Sequence, residues 1–441
     1  MTILVIALTA GILAFASRLQ DRSWVGPAAI FALIWAAYMP TLLFFIDSED
    51  VFVPGMLWIL ASVACVWAGS ASAATLCPAP RERHVVPSPK AIFLLRHLLK
   101  VPIVAGLADM VWLFVQRGMS LSDLASFAAI MAVSAANRSE QYAGEADTPV
   151  GERIAFTLLF LGCLYGGMLF RLSNRRSDKA LALGALLLII AINTLHGSRF
   201  GSIYGGAFWL SGYLATYVAI SNPKKGIGGA FLVRFATAGV VIVFALSMAT
   251  MIVRYTIFAD VDTKTVSFQY MFTDPFGFVA AFGIWFRDMH MHPDGPLWGA
   301  RVFRRVLAFF GRQYELYDAI DVGFNSSNVF TIFRELIEDF SLLGSLVFLA
   351  LYGFLGRVAF WKVGTERGHM ALPWLAVTYI FAFTSVASSA FAYTTILAAA
   401  AMFAVGFAFL PPIAIPVSAA EPPLEPAKAP ALPSNLVPGW E

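Results

Sequence analysis

The chain has 441 residues, of which 59% are hydrophobic and 13% charged, and its mean hydropathy is +0.75. Those values exclude two or three water-soluble domains of ordinary composition and point to an all-α protein that crosses a membrane many times. The formal charge of +3 is scattered through short loops and never gathers into a run, so there is no footprint for nucleic acid.

The first apolar stretch, 2–17, ends in Ala14-Phe15-Ala16, which looks like a signal-peptide cleavage site but has no basic residues before it. Arg18 and Arg22 come after it instead, which predicts an external N-terminus and retention as a first helix. Further apolar stretches lie near 24–46, 52–75, 98–116, 153–171, 180–196, 200–220, 229–252, 336–356, 371–388 and 390–410. At about 17–25 residues per crossing, this makes about eleven transmembrane helices. Arg18/Arg22, Arg81/Arg83/Lys90, Arg171/Arg175/Arg176/Lys179, Lys224/Lys225 and Arg357/Lys362/Arg367 fall on alternate loops, which places those loops and the C-terminus in the cytoplasm. A short loop of the opposite set, Asp47-Ser48-Glu49-Asp50, is acidic.

Residues 1–410 therefore read as one polytopic membrane domain with two long external loops, 117–152 and 253–335. The larger loop mixes aromatic, basic and acidic residues with amphipathic stretches and is expected to fold over the membrane. From Pro411 the chain is Pro/Ala-rich, and 411–441 reads as a loose cytoplasmic tail. Cys65, Cys77 and Cys163 have no metal-ligand spacing and read as packing residues.

Four constellations carry candidate chemistry. His196-Gly-Ser-Arg199-Phe-Gly201 falls at the external boundary between two helices, and Gly197, Gly201 and Gly205 have the small-xxx-small spacing that lets helices approach closely. Arg199 is either a lipid-facing snorkelling residue or a planar fork for a pyrophosphate. At helical spacing, Arg301, Arg305 and Arg312 share one face opposite Val302, Phe303, Val306 and Leu307, so the segment either anchors on headgroups or presents a basic wall to lipid-linked phosphate. His290-Met-His292 lacks a third ligand; no metal is expected, and His290 remains a candidate base. The fourth is the run Asn328 to Gly344, which carries Arg334, Glu335, Glu338 and Asp339 into an apolar helix, where an unpaired charge costs about 2.5–3.5 kcal/mol. Glu335 and Asp339 are four apart and share a face, as do Arg334 and Glu338. Asp109 is a lone carboxylate inside the fourth apolar stretch.

The order Phe324-Asn325-Ser326-Ser327-Asn328-Val329-Phe330-Thr331, then Asp339-Phe340 and Gly344, resembles the signature of the bacterial Wzy-type O-antigen polymerases. Asp274-Pro275-Phe276, Pro296-Leu297-Trp298-Gly299-Ala300-Arg301 and the Gly-Ser-Arg-x-Gly element at 197–201 also resemble that family. One departure is Ser341, where the family often has a glycine directly after the Asp-Phe pair. The resemblance implies a multi-pass, GT-C-like glycosyltransferase of the bacterial inner membrane that needs neither metal, cofactor nor nucleotide sugar. It further implies transfer of an undecaprenyl-diphosphate-linked glycan onto another lipid-linked repeat unit in the periplasm, alongside flippase and chain-length-regulator partners. On this reading Arg199, Arg301, Arg305, Arg334, Asn325 and Asn328 hold substrate and diphosphate, and Glu335, Asp339 or His290 takes the proton. A ligase-like transferase with a different acceptor, or a polysaccharide or lipid transporter, are the competing expectations.

Overall fold

The computed structural model describes residues 1–44, 52–78, 85–120, 149–196, 200–220, 268–289, 296–308, 329–364 and 368–416, with isolated positions in 123–137 and 317–327. The described elements are α1 (Thr2–Asp21), α2 (Pro27–Tyr38), α3 (Val53–Ala74), β1 (Val85–Pro87), α4 (Pro89–Leu98), α5 (Lys100–Gln116), α6 (Val150–Leu172), α7 (Arg176–Leu195), α8 (Phe200–Ile220), α9 (Phe268–Arg287), α10 (Arg304–Ala308), β2 (Ile320–Asp321), β3 (Ser326–Ser327), α11 (Ile332–Val363), α12 (Leu372–Thr384), α13 (Thr394–Ala408) and β4 (Ala414–Pro416). Among the described residues six stretches, α1, α3, α4–α5, α6, α7 and α11, are long and apolar enough to cross a membrane. Shorter apolar helices occupy 27–43, 277–287, 372–384 and 394–408, and the stretch expected at 229–252 lies outside the described residues.

Local sequence sets the helix starts. Pro27, Pro54 and Pro373 stand in first turns, where a missing N–H costs nothing, and Ser88 accepts from Ala91 N at 3.4 Å to cap α4. The helices are apolar on both faces. In α1 the buried residues Ile3, Ile6, Ala7, Ala10 and Ala14 recur at helical spacing, while Leu4, Leu8, Ile12 and Phe15 on the other side stay exposed. The same outward apolar face appears at Val104 and Trp112 of α5, Leu351 and Leu355 of α11 and Trp374 of α12. Side chains of that kind need lipid, not water, around them.

In lipid the hydrophobic effect does not drive helices together, so close packing must. Gly69 of α3 leaves room for the Ala350 carbonyl of α11, and Gly353 of α11 leaves room for the Val66 carbonyl of α3. Gly167 of α6 and Gly212 of α8 make the same reciprocal contact through the Trp209 and Leu164 carbonyls. At Gly201 and Gly205 a side chain would strike Asn193 and Ile189 of α7, so these two glycines let the helices approach closely, while Gly197 lies outside the described residues.

Polar contacts gather the helix ends into two groups. At one end Arg357 of α11 forms a buried ion pair with Asp21 of α1 and donates to the Cys77 carbonyl at 3.1 Å through Nη2. There too Arg96 binds Asp178 through Nε and Nη2 at 2.7 and 2.8 Å, and Ser173 Oγ donates to Asp178 at 2.6 Å. β1 and β4 pair antiparallel at this end, with Val86 opposite Ile415. The tail was expected to be loose from Pro411, but its first residues form a strand; Ser88 N also donates to Ile413 O at 2.9 Å. Residues 417–441 lie outside the described residues.

Two further expectations differ from the structure. Within the stretch read as an external loop, α9 is an apolar helix whose Val279, Ala280, Ala281 and Phe282 are fully buried, with Gly283 set against Phe52 just ahead of α3. And α11 is broken at Ser341, which has φ 66° and ψ 176°, where an unbroken helix was expected.

Candidate active site

The break in α11 builds the site. A helix that stops leaves its last carbonyls without intrahelical partners. Here the carbonyls of Glu338 and Asp339 accept from Leu297 N at 3.0 Å and Trp298 N at 2.9 Å. The returning chain then turns sharply at Trp298 and Gly299, with φ of 52° and 89°. It next presents two backbone amides to one carboxylate: Asp339 Oδ1 accepts from Arg301 N at 2.8 Å and Oδ2 from Val302 N at 2.7 Å. Asp339 thus acts at long range as an N-terminal cap for the turn leading into α10. Of the helical face expected to carry Arg301, Arg305 and Arg312 together, Arg301 lies in this turn, ahead of α10, and Arg312 lies outside the described residues.

Fixed in this way, Arg301 meets Arg334 across Glu338. Arg301 Nε donates to Glu338 Oε2 at 3.0 Å, and Arg334 Nε donates to Oε1 at 2.9 Å. The i,i+4 pairing of Arg334 with Glu338 read from the sequence is therefore present, with a second arginine added. Both guanidiniums lie over the ring of Tyr317, at 4.7 and 3.8 Å from its centroid, and Arg334 also packs on Phe330 at 4.0 Å and Trp285 at 5.1 Å. Aromatic faces favour the flat, weakly hydrated guanidinium over an ammonium. Burial, with Glu335 and Glu338 nearby, holds the Tyr317 hydroxyl well above its ordinary range, so it remains a proton donor. That buried hydroxyl has no hydrogen-bond partner among the described residues, and the same holds for Thr331 at the head of α11.

Glu335 sits one turn before Asp339 and is buried. It accepts from Ser388 Oγ at 2.7 Å and from Ser389 N at 3.0 Å. Beside it Arg304 lies 5.6 Å from the Tyr393 ring, and Tyr393 packs against Tyr204 of α8 at 5.5 Å. The head of α8 thus reaches the same cluster.

Of the residues read as candidates, the structure brings together Arg301, Arg334, Glu335 and Asp339. Arg199, His290, Asn325 and Asn328 lie outside the described residues, and Arg305 is described only in its backbone. Sequence reasoning missed Tyr317, Tyr393, Tyr204, Arg304 and Ser388 as partners, and it left Glu338 out of the site. Glu338 had a signal, its spacing from Arg334; the tyrosines had none, since their positions depend on long-range folding.

Comparison with protein-family models, with characterised proteins and with solved structures finds no match to this chain.

Proposed function

We propose that the chain is a membrane glycosyltransferase of the Wzy type. On this reading it polymerises undecaprenyl-diphosphate-linked repeat units at the external face of a bacterial inner membrane, with about eleven crossings, an external N-terminus and a cytoplasmic C-terminus. The observation that carries it is the pair Arg301 and Arg334, held on Tyr317 beside a hydroxyl with no partner among the described residues. A diphosphate supplies an acceptor oxygen for the Tyr317 hydroxyl, and guanidinium forks match phosphate geometry.

In the proposed reaction the acceptor sugar hydroxyl attacks C1 of the donor sugar, and the bond from C1 to the diphosphate oxygen breaks. Negative charge grows on the leaving diphosphate, where Arg301, Arg334 and the Tyr317 hydroxyl stabilise it. The acceptor proton passes to a carboxylate. Glu335 suits that role better than Asp339, because one of its oxygens is held only by the rotatable Ser388 hydroxyl, whereas both Asp339 oxygens are fixed by backbone amides. Arg199, Arg305, Asn325 and Asn328 complete the proposed substrate contacts, and His290 remains an alternative base.

Ser341 is a departure from the motif. The family often has glycine at this place, and here the residue adopts a backbone conformation that is essentially reserved for glycine.

A deletion strain tests the proposal. It should keep single repeat units on its surface acceptor and lose the long-chain ladder, seen on a gel of surface glycan. Loss of single units with polymer still built on the lipid carrier would replace it with a ligase, and lipid-linked units held in the cytoplasmic leaflet would replace it with a transporter.

A further inference from the structure

A second polar cluster lies at the same end of the bundle as Glu335, on α5, α6 and α7. Asp109 is only 7% exposed, and its Oδ2 is buried without a hydrogen-bond partner among the described residues. Glu152, in the first turn of α6, is near enough for the Asp109 charge to act on it. Its Oε1 lies 3.3 Å from Nε2 of His196, which caps the end of α7 and is 8% exposed. That approach is off the line of a hydrogen bond, which leaves the His196 Nε2 without one too.

Among the described residues, Arg117 and Arg153 are the cations that act on the cluster. Arg117 donates through Nε to Asn137 Oδ1 at 2.9 Å, and Asn137 in turn donates to the Leu195 carbonyl at 3.0 Å. Arg153 acts on Glu152 from an exposed position, where water screens it. Burial, together with Arg117, lowers the His196 imidazole to about 4, so it is neutral at ordinary pH and brings no positive charge. Two carboxylates are then near enough for one charge to act on the other, and one buried oxygen accepts nothing among the described residues. A buried carboxylate without a donor or counter-charge is costly, and the cost falls when a single positive charge enters.

We propose that Asp109, Glu152 and His196 form a site that takes up one positive charge, either a proton or a monovalent cation such as Na+. No group of three or more His, Cys, Asp or Glu among the described residues is arranged to hold a metal ion, which favours the proton over Na+ as the occupant. The cluster adjoins the head of α8 through Phe156, whose ring is 5.9 Å from that of His196, and Phe160, which packs on Phe208. Its loading is thereby linked to the helix that bears Tyr204.

Infrared difference spectra of the purified full-length protein in lipid nanodiscs, titrated in pH with Na+ or with N-methylglucamine, test this. Wild type is expected to show a protonated-carboxyl band on acidification that both Asp109→Asn and Glu152→Gln remove. If Na+ competes for the site, the midpoint of that band moves to lower pH by about one unit per tenfold rise in Na+; a midpoint indifferent to Na+ assigns the site to the proton alone. Should Asp109→Asn fail to fold, Glu152→Gln and the wild-type Na+ titration still decide. A band unchanged in Glu152→Gln, together with no Na+ effect on the wild-type carboxylate spectrum, overturns the proposal.

Discussion

Arg334 holds three aromatic rings and a carboxylate at once, and only a planar cation can do so. Lysine would keep the charge but lose both the stacking and the paired donors. Arg334→Lys and Arg301→Lys should therefore each slow polymerisation of purified lipid-linked repeat units by about a hundredfold, the usual scale for one preorganised donor, with protein levels unchanged. Wild-type rates in both variants would leave the arginines as structural props. Asp339 calls for a different outcome. Asp339→Ala strands two backbone amides at a cost of about 1–3 kcal/mol each, and should lower the unfolding temperature as activity falls. Asp339→Asn keeps one acceptor and should recover part of both. Full stability with no turnover in Asp339→Asn would instead make this residue the base.

Among the elements, α11 shows both what the sequence reveals and what it hides. Its apolar run, the carboxylates at its head and the pairing of Arg334 with Glu338 could all be read in advance, because they follow from hydropathy and helical spacing. The break could not, because Ser341 is not a residue that announces a positive φ, and nothing local requires one. What imposes it is the segment 297–302, some forty residues earlier, which occupies the freed carbonyls. The site was legible to the same degree: residues on α11 were found, whereas Tyr317, Tyr393 and Ser388 reach it through distant parts of the chain. Strain at such a position is worth about 1–3 kcal/mol, against about 0.5–1 kcal/mol of extra unfolded-state entropy for glycine. Ser341→Gly should accordingly stabilise the protein by about 1 kcal/mol in thermal unfolding. A loss of stability would mean that the weak contact from Gly344 N to Ser341 Oγ, at 3.5 Å, outweighs the strain.

At the scale of the molecule, contacts join helix ends into two groups. Asp21 and Arg357, Arg96 and Asp178, and the pairing of β1 with β4 of the tail lie at one end. The acidic-aromatic cluster lies at the other. If that division is a membrane topology, single cysteines placed at Lys90 and Asp123 in a cysteine-free background should respond oppositely to an impermeant thiol reagent added outside intact cells. Asp123 should label and Lys90 should not. Labelling at Lys90 alone would invert the protein and put the arginine site in the cytoplasm.

The anchoring of 297–302 also bears on exchange of parts between proteins. Arg301 takes its position from the carboxylate and carbonyls of α11 and not from its own segment. A chimera that exchanges residues 253–335 but stops short of Asp339 separates a lock from its key: the incoming strand finds foreign acceptors, and the arginine it carries loses its aim. A graft meant to transfer substrate preference has its natural seam after Ser341, where the helix has already been cut.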